Sequence, residues 1–86
     1  MRRQPHRADM TAEARIALAV SFVAHFRKSP DEQFRVVADS LATARIAANR
    51  LNAEHGRNGR RAGVYAIGRD AVATFVPDTY QPTKGA

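Results

Sequence analysis

Three arginines, Arg57, Arg60 and Arg61, fall within five residues with no acid among them, and Gly59 and Gly63 flank the pair at the end of the group. Guanidinium forks so closely spaced suit the planar oxygens of phosphate or carboxylate, and neighbouring glycines let the backbone come close to a partner. Such a loop can seat a phosphate backbone or an acidic protein surface. It also has a plain reading, as a solvated loop whose first arginine compensates a helix dipole. A second candidate group is Arg27 and Arg35 with His25, and Lys28 near them, provided strand register sets them on one sheet face.

Catalysis is hard to assemble from the rest. The chain has no cysteine, which removes disulfides, thiolate nucleophiles and cysteine-ligated metals. His6, His25 and His55 show no His-x-x-x-His or carboxylate spacing that would hold a metal, so each reads as a solvated histidine. Six of the eight carboxylates have a structural use: Asp31 and Glu32 in a turn, Asp39 at a helix start, Asp70 in a hairpin loop, Asp9 and Asp78 in the tails. Ser21, Ser29 and Ser40 lack a glycine-flanked elbow, and no phosphate-cradling Gly-x-x-x-x-Gly-Lys run occurs. A binding protein without enzymatic activity or cofactor is the expectation.

Charge points the same way. Fourteen Lys and Arg oppose eight Asp and Glu, a net +6, and twelve of the fourteen are arginine. The favoured partner is acidic, although the same excess also keeps a small protein soluble. The apolar run from Ile16 to Phe26 is too short to span a bilayer as a helix. A cytoplasmic protein with no membrane partner is expected. At 86 residues there is room for one small domain. Seventeen of its apolar residues are alanine and 21 are larger, so the core is thin and homodimerisation attractive.

The elements that must position these groups follow from patterning. Residues 1–9 read as a basic arm, 10–76 as the folded domain and 77–86 as a disordered tail. From Asp39 to His55, Leu41, Ala44, Ala48 and Leu51 recur at helical spacing, with Asp39 or Ser40 as N-cap and Gly56 as a left-handed C-cap. Gly63–Gly68 and Val72–Val76 flank Arg69-Asp70 as a hairpin, and a two-residue loop would group Tyr65, Ile67, Val72, Thr74 and Val76 on one face. Ile16 to Phe26 fits helix and strand alike. Alanine-rich 11–19 favours helix, whereas Val20–Phe26 favours strand and pairs with Gln33–Ala38 across Ser29-Pro30-Asp31-Glu32.

An odd loop or a bulge in that first hairpin groups Phe22, Ala24 and Phe26 with Phe34, Val36 and Ala38, leaving His25, Arg27 and Arg35 together on the opposite face. The fold expected is α+β, in the order β-β-α-β-β, with a four-stranded antiparallel sheet covered on one face by one helix. The alternative is α-β-α-β-β with residues 11–27 helical. For base stacking on the sheet, the exposed aromatic candidates are Tyr65 and Tyr80. No helix-turn-helix pattern occurs. A second helix stripe, Ala42, Ile46 and Ala53, calls for cover from segment 10–19 or from another copy.

The stretches Asp39-Ser40-Leu41-Ala42-Thr43-Ala44, Leu51-Asn52-Ala53-Glu54-His55-Gly56 and Gly59-Arg60-Arg61-Ala62-Gly63-Val64-Tyr65-Ala66-Ile67 resemble a group of short proteins from alphaproteobacteria and their phages. The likeness spans about residues 20–76, and the basic extension before Thr11 departs from the shorter members. It transfers no functional residues. Small phage proteins of this size often act by binding, including as inhibitors of host defence complexes such as anti-CRISPR proteins, and the resemblance implies a binding role. Two partners are therefore expected in turn: nucleic acid, engaged through phosphates, or an acidic protein surface docked by the same arginines.

Overall fold

The ambiguous stretch before the first turn divides between both of its tendencies. In the computed structural model, which describes residues 11–56 and 59–82, α1 covers Ala12–Ala17 and β1 covers Ser21–Ser29. The arm expected over 1–9, Arg57 and the last residues of the tail lie outside the described residues. Alanines carry the helical half, and Thr11 caps it by accepting a hydrogen bond from the Ala14 amide at 3.1 Å. β-Branched and aromatic residues carry the strand. The order continues through β2 (Glu32–Ala38), α2 (Leu41–His55), β3 (Gly63–Ile67) and β4 (Ala73–Val76). The expected β-β-α-β-β unit is thus present with one short helix before it, and a helix over 11–27 does not form.

The sheet runs β2-β1-β3-β4 and is antiparallel throughout. β2 and β3 therefore point the same way on either side of β1, and a chain joining them must cross over that strand. Helix α2 makes the crossing. Phe22, Ala24 and Phe26 pair with Ala38, Val36 and Phe34, the register expected from burial. A two-residue turn at Pro30-Asp31 closes the hairpin, and a bulge at Lys28 supplies the odd count.

The second hairpin departs from expectation. Ile67 pairs with Ala73 and Tyr65 with Phe75, so Val64, Ala66, Thr74 and Val76 face the helices while Tyr65, Ile67, Ala73 and Phe75 face away. A two-residue loop at Arg69-Asp70 is replaced by a three-residue one, with bonds from Gly68 N to Val72 O and from Ala71 N to Gly68 O. The Asp70 carboxylate accepts from the Val72 amide at 3.0 Å, and Ala71 takes φ 65°. Alanine bears a Cβ penalty in this left-handed region. Ala71→Gly should stabilise the protein by about 0.5–1 kcal/mol in urea unfolding, and a loss of stability would show that the loop carries no strain.

Helix α2 turns Leu41, Ala44, Ala48 and Leu51 onto Ala24, Phe26, Val64 and Ala66, while α1 packs on β3 and β4 and adds Ile16 to the same core. Ser40 is the N-cap, accepting from the Thr43 amide. At the other end Gly56 is not left-handed, with φ −76° and ψ 71°. Glycine is suited there for another reason: a Cβ would overlap the Asn52 carbonyl oxygen. His55 is also more than a solvated helix end, since its ring stacks on Phe34 at 4.2 Å.

The tail expected from residue 77 does not describe Pro77–Tyr80. These residues form a turn, and Arg45 on α2 donates to the Pro77 and Tyr80 carbonyl oxygens at 3.2 and 2.8 Å. Tyr80 packs half-buried against the core. Ala42, Ile46 and Ala53 stay exposed, because α1 lies over β3 and β4 rather than beside α2.

Candidate functional site

Alternation along each strand gives the sheet a second face, which no described element covers. Its cross-strand rows follow from the register. One runs Val37, Val23, Tyr65, Phe75, and the next runs Arg35, His25, Gly63. Arg27 and Gln33 form a third pair beyond them. The face thus passes from apolar at one end to basic at the other, and none of these strand positions holds an acid.

The arginine loop reaches this basic end. Ala62, the residue before β3, donates its amide to the Asn52 side chain on α2 at 2.6 Å, which fixes where the loop rejoins the sheet. Arg60 then lies close enough for Nη1 to donate to the Arg27 carbonyl oxygen at 3.4 Å. Arg27, Arg60 and Arg61 line one open groove of about 640 Å³ together with His25, Tyr65 and Phe75. Asp78 is the acid at its rim. Cations gathered without matching acids repel one another, and an anionic ligand relieves that cost.

The sequence-derived residues divide accordingly. Arg27, Arg60 and Arg61 meet in the groove, and Arg35 stands beside His25 on the edge strand. His25 is held by the Gln33 side chain at 2.8 Å. Lys28 sits at the hairpin bulge, where it pairs with Glu32 at 3.7 Å, apart from the groove. Arg57 lies outside the described residues. Sequence reasoning missed Phe75, whose side of the sheet depends on the loop at Ala71. The signal available was Asp70, a residue able to bond the amide two positions on and so to lengthen the turn.

Elsewhere, an apolar groove of about 650 Å³ lies between Leu18, Val20 and Val72, next to the Arg15–Asp70 ion pair at 3.9 Å. Among the described residues no three His, Cys, Asp or Glu side chains are placed to hold a metal ion, and no helix is long and apolar enough to cross a membrane.

Fold and site together define a small α+β domain that presents an open, basic and partly aromatic sheet face. Comparison with protein-family models, curated proteins and solved structures gives no match.

Proposed function

We propose that the protein is a non-enzymatic module that binds nucleic acid through the phosphate backbone with little base selectivity. The observation that carries this reading is the convergence of Arg27, Arg60 and Arg61 on one groove at the basic end of an acid-free sheet face. Phosphate contacts of this kind release condensed counterions, so affinity depends steeply on salt. Three or so such contacts should weaken binding about 20- to 200-fold between 50 and 200 mM salt, measured by fluorescence anisotropy on a short oligonucleotide. Undetectable binding at 50 mM salt overturns the proposal.

Asp78 offers a test of opposite sign. As the acid at the groove rim it opposes an incoming phosphate, so Asp78→Asn should tighten binding about 1.5- to 5-fold at low salt and less at high salt. Weaker binding by this variant would mean that the carboxylate orders the arginines instead.

A second reading is an inhibitor or adaptor of the phage type that docks an acidic protein surface. Val37, exposed next to Arg35 on the edge strand, favours it, since protein interfaces combine apolar contact with charge. One stoichiometric protein partner recovered from nuclease-treated lysate, with no oligonucleotide affinity, would replace the first reading by the second.

A further inference from the structure

Phosphate contacts use the arginines but leave the row beside them without a role. In that row Phe75 keeps 54% of its surface in water and Val37 keeps 69%. Exposed apolar area of this kind costs free energy unless a partner covers it. Tyr65 lies between Phe75 and His25, edge-to-face with the first at 5.7 Å and edge-on to the second at 6.4 Å. Its ring leans across Gly63, where an added Cβ would come within 3.2 Å of Cε1. The aromatic surface therefore extends from the apolar row into the groove that Arg27, Arg60 and Arg61 line.

Building on the nucleic-acid reading, we propose that this face is a stacking platform for a single strand, in which Tyr65 and Phe75 receive unpaired bases while Arg27, Arg35, Arg60 and Arg61 hold the flanking phosphates. Base faces are buried inside a duplex and free in a single strand, so an exposed ring beside a cationic groove selects unpaired nucleic acid. Every base has such a face. Sequence preference is consequently weak, and DNA and RNA strands present the same two features, faces and phosphates. A second copy of the chain is a poor occupant, because pairing basic end to basic end opposes the arginines and pairing it to the apolar end buries them without an acid. A folded acidic protein would also cover the rings, and oligonucleotide binding separates the two occupants.

The test compares labelled twelve-residue oligothymidylate and oligouridylate with the DNA duplex of the same length, using the full chain. Both single strands should bind at least tenfold more tightly than the duplex. Tyr65→Leu and Phe75→Leu, which keep apolar bulk and remove the ring, should each cost the single strands about 5- to 100-fold and leave duplex affinity unchanged. Tyr65→Phe should retain binding. Circular dichroism checks that the leucine variants fold. A measurement that needs no damaging change uses fluorescence: the chain has two tyrosines and no tryptophan, so in Tyr80→Phe the emission is that of Tyr65 and should be quenched on saturation with oligothymidylate. Equal affinity for single strand and duplex, or an unquenched Tyr65, overturns the platform while phosphate binding stands. Loss of all oligonucleotide binding at 50 mM salt overturns both.

Discussion

Phe26→Ala is expected to cost about 3–5 kcal/mol and to lower the urea midpoint of unfolding accordingly. Phe26 is fully buried and is, among the described residues, the largest side chain with almost no exposure. It sits where β1 passes under the end of α2, with the His55 ring tilted over it at 5.9 Å and Phe34 stacked on that same imidazole. Much of the surrounding core is alanine: Ala24, Ala38, Ala44, Ala48 and Ala66. Alanines have no rotamers with which to close a cavity, so the space left by the benzyl group persists. A domain of this length has a total stability of about 4–13 kcal/mol, of which the loss is a large part. Phe75→Ala, on the open face, is the comparator and should cost less than about 1 kcal/mol. Comparable urea midpoints for the two variants would mean that the core is not where the structure puts it.

The same aromatic pair shows what the sequence could and could not disclose. Phe26 and Phe34 share a face because seven residues separate them, an odd count that only a bulge or odd loop accommodates once both must be buried. Burial made that register legible. Tyr65 and Phe75 share the other face for a reason with no burial behind it, since the choice between a two- and a three-residue loop turns on Ala71 adopting φ 65°. Glycine or asparagine there would have announced the left-handed residue; alanine does not. The arginine cluster was readable as a run of like charges, whereas its meeting with Arg27 depends on the Asn52 side chain catching the Ala62 amide across ten residues. Half of the candidate site was thus a composition signal and half a tertiary one.

The charge argument makes its strongest claim through Arg60 and Arg61 replaced together by alanine. Both are exposed, and apart from the long Arg60 contact to the Arg27 carbonyl oxygen no hydrogen bond of theirs supports the described fold, so the melting temperature should hold within a few degrees. Binding should not. On a single strand each phosphate contact contributes about 0.7 to the slope of log affinity against log salt, and removing two lowers that slope by about 1.4. Referred to 1 M salt, where the electrostatic contribution vanishes, the double variant should be weaker by about 65-fold at 50 mM and by about 10-fold at 200 mM. The shrinking defect is the diagnostic feature. An apolar or hydrogen-bonded role for the two side chains would give a defect independent of salt, and a bystander role would give none. Measured beside Tyr65→Leu, whose loss on single strands should persist at high salt, the double variant separates what the arginines contribute from what the rings contribute on one sheet face.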